Sequence, residues 1–170
     1  MNHKLYRLTL TSMITAIYFI CCFIEQNLAF GPIQCRISES LTLLPLLFPE
    51  AIIGVTLGCL LFNISTGIIY DIIFGTLCTF IGCLLTYFVG VFIKKDWLKI
   101  IFGGIPPVLI NAIIIPFVLI YGYQINNGYV FLFLTIFIGE TISVYFIGTL
   151  IFFPIKKNLI KFNIIKTKEE

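Results

Sequence analysis

A run of polar and charged residues interrupts an otherwise apolar chain between residues 30 and 50, where the sequence reads FGPIQCRISESLTLLPLLFPE. Gln34 and Arg36 can donate hydrogen bonds and Glu39 can accept them, so this segment could hold a polar ligand in one orientation. Ionisable side chains cost roughly 2.5 to 3.5 kcal/mol at the centre of a membrane helix and therefore tend to serve pairing or function. The alternative is structural: Ser38 caps a helix, Glu39 complements its dipole and Arg36 extends towards the membrane interface.

Four more polar residues are spread over other apolar stretches: Asn63, Asp71, Asn111 and Glu140. Their distribution over several predicted helices suits a central binding site. Asp71 could instead cap a helix, and either asparagine could simply bridge two helices. Glu140 lies well inside the last apolar stretch, where neither capping nor an interfacial position is convenient, so a functional role is favoured.

The sequence offers few candidates for residues that could make or break covalent bonds. The chain has no GxxxxGK[ST] phosphate loop, no nucleophile elbow and no acidic pair spaced for metal-dependent phosphotransfer. Its single histidine, His3, is near the start, and its six cysteines form no CxxC pair. We therefore expect no enzyme activity, no metal site and no cofactor, and we interpret the cysteines as small core residues.

The elements that position the polar residues are predicted to be membrane helices. Hydrophobic residues make up 59% of the chain and charged residues only 11%, and the mean hydropathy is +1.08. At about 20 residues a span, the 170 residues form one membrane domain, 1–170, with six helices and no room for a soluble domain. The predicted spans are Leu8–Leu28, Ser38–Phe48, Ala51–Tyr70, Asp71–Ile93, Leu98–Tyr121 and Tyr129–Phe153. The second is short and contains Pro45, so it should be tilted, or kinked and continued past Pro49.

Basic residues predict the orientation. Ten of the eleven lie before the first span, between the end of the fourth span and the second residue of the fifth, or after the last, and only Arg36 lies elsewhere. The positive-inside rule then predicts that both termini are cytoplasmic, with 156–170 as a basic cytoplasmic tail. Arg36, Asp71 and the 121–129 loop fall outside. The net charge of +3 reflects this topology and does not indicate nucleic-acid binding.

Small residues four apart in the first span, Ser12 and Ala16, allow another helix to approach closely. Packing within the bundle is the simpler explanation. The glycines of Gly54-x-x-x-Gly58 are likewise best interpreted as helix packing.

The polar segment resembles the QueT family of substrate-binding S components of energy-coupling factor (ECF) transporters. The resemblance rests on FGPIQCRISESLTLLPLLFPE, on the Asp71 stretch DIIFGTLCT and on the Glu140 stretch GETISVY, and it covers all six spans. It implies an all-α membrane protein that captures a queuosine precursor, a 7-deazaguanine base, at the bacterial plasma membrane. It also implies partners, namely a T component and two ATPase subunits, with Ser12 and Ala16 at the T-component contact. The alternative is an S component for another vitamin or nucleobase-like micronutrient.

The chemistry of a guanine-like ring suggests roles for the polar residues. One carboxylate can accept both N1–H and the exocyclic NH₂, and we assign it to Glu140, with Glu39 second. O6 needs a donor, for which Asn111, Gln34 and Arg36 are candidates, and Tyr or Phe could stack on the ring. Asp71 is the acid available for an aminomethyl cation, and Asn63 is a further candidate.

Overall fold

Within the residues that the structure describes, the chain forms six helices, and every regular element there is helical. The structure is a computed structural model that describes residues 3–26 and 36–161. In chain order the helices are α1 His3–Glu25, α2 Ile37–Leu46, α3 Glu50–Thr66, α4 Asp71–Phe92, α5 Asp96–Tyr121 and α6 Tyr129–Lys161.

The predicted all-helical membrane bundle is confirmed in its coarse form. Helices α1, α4, α5 and α6 are long and apolar enough to cross a membrane, whereas α2 and α3 are shorter. The orientation in the membrane, with both termini cytoplasmic, stays a prediction. Gln34 and residues 162–170 of the basic tail lie outside the described residues.

Helix α2 is short, as the sequence predicts, but it does not continue past Pro49 through a kink. It is wound as a 3-10 helix that contains Pro45 and ends at Leu46, and α3 begins separately at Glu50. The tighter winding rises about 2.0 Å per residue, so the ten residues of α2 extend over about 20 Å.

Helix α2 lies at the centre of the bundle, since residues 38–46 are all buried and the helix contacts every other helix. Glycines on three neighbours make this close packing possible. A Cβ atom would lie 3.1 Å from Leu46 Cα at Gly90, 2.8 Å from Leu46 Cδ2 at Gly103 and 2.9 Å from Leu43 Cδ1 at Gly148. Side chains at these positions would push α2 out of its place.

Two ion pairs tie helix ends together at one end of the bundle. Arg7 of α1 pairs with Glu50 at the start of α3 at 3.0 Å, and Lys156 of α6 pairs with Asp96 at the start of α5. The first pair joins the starts of α1 and α3, and the second joins the start of α5 to the last part of α6.

The glycines of α3 pack directly on α1, in agreement with the interpretation of Gly54-x-x-x-Gly58 as a packing motif. A Cβ atom at Gly54 would lie 2.9 Å from Ile14 Cβ, and one at Gly58 would lie 2.8 Å from Tyr18 Cβ and 2.9 Å from the Thr15 carbonyl oxygen. The last contact involves backbone, which cannot rotate away.

We predict that Gly58→Ala destabilises the protein by about 1 to 3 kcal/mol, because the added methyl group overpacks the contact between α1 and α3. Thermal unfolding in detergent micelles measures the change. The control is Gly128→Ala, since a Cβ atom there meets nothing within 4 Å. Alanine favours helix over glycine, so a Gly58→Ala midpoint at or above that of the unmodified protein would contradict the packing argument.

Candidate functional site

A cavity of about 340 Å³ opens at the end of the bundle opposite the two ion pairs. Its wall combines aromatic and aliphatic side chains with carboxylates, amides and a guanidinium, as in sites for small polar ligands. The lining residues are Tyr18, Cys22, Glu25, Gln26, Arg36, Cys59, Phe62, Asn63, Thr66, Asp71, Ile115, Val118, Leu119, Tyr123, Ile125, Asn127, Leu132 and Thr135.

The polar residues singled out from the sequence fall into two groups. Arg36, Asn63 and Asp71 line the cavity itself. The second group, Glu39, Asn111 and Glu140, does not appear in its wall, and each residue is at most 3% exposed. Asn111 lies one helical turn from Ile115, which does line the cavity, so this second group forms a buried polar layer next to it.

Hydrogen bonds centred on Glu39 join three helices in the buried layer. The Tyr18 hydroxyl of α1 donates to Glu39 Oε1 at 2.5 Å, and Asn111 Nδ2 of α5 donates to Glu39 Oε2 at 3.4 Å. Both oxygens of this carboxylate therefore have donors, which a charge buried in a low-dielectric bundle requires. Glu39 is less available to a ligand than its side-chain chemistry suggested.

Glu140 is in a different position. Only 2% of its surface is exposed, and its Oε2 is a buried oxygen for which the described residues provide no hydrogen-bond donor. An unsatisfied buried polar group costs about 1 to 3 kcal/mol, and more when it is charged. This oxygen therefore has the capacity to accept a hydrogen bond from a ligand.

Acidic groups outnumber basic groups around the cavity. The Arg36 guanidinium interacts electrostatically with Asp71, Glu140 and Glu39, and Glu25 also faces it. Within the described part of this region, one guanidinium thus interacts electrostatically with four carboxyl groups. A cationic ligand would relieve the repulsion among the carboxylates.

Asp71 begins α4 in a π-helical turn, Asp71–Gly75, and does not act as a side-chain helix cap. Its Oδ2 accepts a hydrogen bond from the Tyr123 hydroxyl at 3.1 Å, and its backbone oxygen accepts one from Asn63 Nδ2 at 2.9 Å. Burial and the adjacent Asp71 carboxylate raise the pKa of Tyr123 to about 12, so Tyr123 remains a donor at neutral pH. Asn63 both lines the cavity and bridges α3 to α4, so the two interpretations of this residue coexist.

The alternative in which Ser38 caps α2 with its side chain is wrong. The residue before α2 is Arg36, which provides no side-chain cap, and both the backbone N–H and the hydroxyl of Ser38 donate to the Glu25 carboxylate. The N–H contact is 3.1 Å long. A carboxylate from α1 thus substitutes for a local cap, because it can accept both donors at once.

Sequence reasoning missed three residues of the site: Tyr18, Glu25 and Tyr123. Glu25 carried a usable signal, since an ionisable residue inside a predicted span calls for a partner. Tyr18 and Tyr123 carried none, because nothing in the sequence separates them from the other six tyrosines.

Ser12 and Ala16 lie on the exposed side of α1, away from the cavity and from the contact with α3. The described helices therefore leave this stretch uncovered. Its use as a contact for a partner protein stays a prediction.

Comparison with known proteins identifies a family for nearly the whole chain. Residues 8–157 match the protein family described as QueT transporter. No curated protein and no solved structure matches the chain.

We predict that Glu25→Ala destabilises the protein by about 1 to 3 kcal/mol, because the Ser38 N–H and hydroxyl lose a buried acceptor. Glu25→Gln should cost less, since its amide oxygen can still accept one of the two bonds. Thermal unfolding of the three proteins in the same detergent measures both effects. Equal midpoints for Glu25→Ala and the unmodified protein would refute a capping role.

Proposed function

Because the chain belongs to the QueT transporter family, we propose that it is the substrate-binding S component of an ECF transporter. The substrate is a queuosine precursor, a 7-deazaguanine base such as 7-aminomethyl-7-deazaguanine or queuine. A T component and two ATPase subunits in the bacterial plasma membrane power its import. Family membership alone identifies a transporter rather than an enzyme.

The observation that carries this proposal is the buried Glu140 oxygen to which none of the described residues donates, in the polar layer behind the wall of a cavity of about 340 Å³. A guanine-like base presents N1–H and an exocyclic NH₂ side by side, and a carboxylate can accept from both. A base that reached from the cavity into the buried polar layer would satisfy an acceptor that the described residues leave unmatched. The gain in binding free energy is large because the contact forms away from water.

Other parts of the ring find partners among the residues that line the cavity. Arg36 can donate to O6, whereas Asn111 is already engaged with Glu39. Phe62 and Tyr123 supply aromatic surfaces on which a bicyclic base can stack. Gln34 stays a candidate donor and lies outside the described residues.

The surplus of carboxylates supports a base that carries an ammonium group. Asp71 is the acid for that group, since it lines the cavity and only 4% of its surface is exposed. A charge-assisted contact in this setting is stronger than a neutral hydrogen bond. Both proposed precursors carry a basic amine, so this argument does not choose between them.

Titration calorimetry of the purified protein tests the proposal. We expect saturable binding of 7-aminomethyl-7-deazaguanine and much weaker binding of riboflavin, thiamine, biotin and folate. Tighter binding of one of those vitamins would favour the alternative, an S component for a different micronutrient. Copurification of the affinity-tagged chain from its native membrane with a T component and an ATPase pair tests the partners.

We predict that Glu140→Gln weakens binding of 7-aminomethyl-7-deazaguanine by well over tenfold, because one buried charge-assisted contact is lost. The matched control is Glu50→Gln, at the opposite end of α3 from the cavity, where Glu50 pairs with Arg7. Unchanged affinity in a folded Glu140→Gln protein would remove Glu140 from the site.

A further inference from the structure

Gly75 ends the π-helical turn of α4 and faces the Asp71 carboxylate. A Cβ atom at this position would lie 2.7 Å from Asp71 Oδ1 and 3.0 Å from Asn63 Nδ2. The first distance is shorter than nonbonded contacts to carbon allow, so an alanine would force one of these groups to move. Glycine weakens helices relative to alanine, so helix stability does not explain its presence here.

The remaining contacts of Asp71 hold it from other directions. Tyr123 donates to Oδ2, and Asn63 bonds the Asp71 backbone oxygen and also donates to Thr76 Oγ1 at 3.2 Å. π-helical turns often occur at functional sites, where they redirect side chains. These hydrogen bonds fix Oδ2 and the backbone of Asp71. The room beside Oδ1 comes instead from the missing side chain of Gly75.

We propose that Gly75 is a positioning residue: the space it leaves lets the Asp71 carboxylate lie in the cavity wall, where it selects ligands that carry an ammonium group. The selectivity part of this inference rests on the proposed function. The Arg36 guanidinium also interacts with Asp71. The position of the Asp71 carboxylate therefore determines how strongly it interacts with Arg36 and how strongly with the ligand. A displaced carboxylate would lose the ligand contact while the rest of the cavity remained intact.

The test compares two ligands that differ in charge, 7-aminomethyl-7-deazaguanine and the neutral 7-methyl-7-deazaguanine. We expect Gly75→Ala to weaken binding of the ammonium ligand about tenfold and that of the neutral ligand less than twofold. In an Asp71→Ala background the same substitution should leave both affinities unchanged, since the displaced group is already absent. Equal weakening of both ligands by Gly75→Ala, or the same loss in both backgrounds, would overturn the proposal.

Gly82→Ala is the matched control, because Gly82 lies two turns farther along α4. A Cβ atom there meets Pro107 Cα at 3.1 Å, away from the residues that line the cavity. Gly82→Ala can lower the unfolding midpoint, but the ratio of the two affinities should stay as in the unmodified protein. A changed ratio would show that any tight glycine replacement in α4 has this effect and would overturn the assignment to Gly75.

Thermal unfolding separates failure of this inference from failure of the proposed function. Gly75→Ala should lower the midpoint more in the unmodified background than in the Asp71→Ala background, because its closest steric conflict, at 2.7 Å, is with the Asp71 carboxylate. This coupling needs no ligand. If the unmodified protein bound neither deazaguanine, the proposed function would fail, and an equal loss of midpoint in both backgrounds would independently refute the positioning role.

Discussion

Polar groups buried in an apolar bundle must find partners inside it, and the structure of this protein depends on how α2 meets that requirement. This 3-10 helix has Ser38, Glu39 and Thr42 at the centre of the molecule. Ser38 bonds Glu25, Glu39 bonds Tyr18 and Asn111, and Thr42 bonds the Glu39 carbonyl. The same contacts link α2 to α1 and α5. The hydrogen bonds that satisfy the polar atoms of α2 therefore also hold the bundle together.

The candidate site lies where a buried polar atom has no hydrogen-bond partner among the described residues. Glu39 is fully engaged, whereas Glu140, a buried carboxylate from α6, keeps an oxygen to which no described residue donates. Both belong to a set of four carboxyl groups that interact electrostatically with one guanidinium, that of Arg36. The region near the cavity thus has too few hydrogen-bond donors and too little positive charge for its carboxyl groups. A cationic, guanine-like base would supply both.

Much of the fold could be predicted, because membrane helices are marked by long apolar runs and all six predicted segments correspond to helices. Arg36, Asn63 and Asp71 could be singled out because charges and amides in apolar runs are conspicuous, and they line one cavity, while their use in binding stays a prediction. The winding of α2, the bond from Ser38 to Glu25 and the contribution of Tyr18 and Tyr123 could not be predicted. They depend on contacts between residues distant in the chain, for which sequence spacing provides no measure.

The sequence by itself determined the class of protein and the number and order of the helices that the structure describes. It also singled out the few polar residues that need partners or a function within an apolar bundle. Hydropathy and charge are properties of single residues and short runs, so they can be read without coordinates. Only the tertiary structure decided which carboxylate is satisfied and which is not. Glu39 and Glu140 are the same residue type, and they differ because Tyr18 and Asn111 donate to both oxygens of Glu39, while the described residues leave one oxygen of Glu140 without a donor.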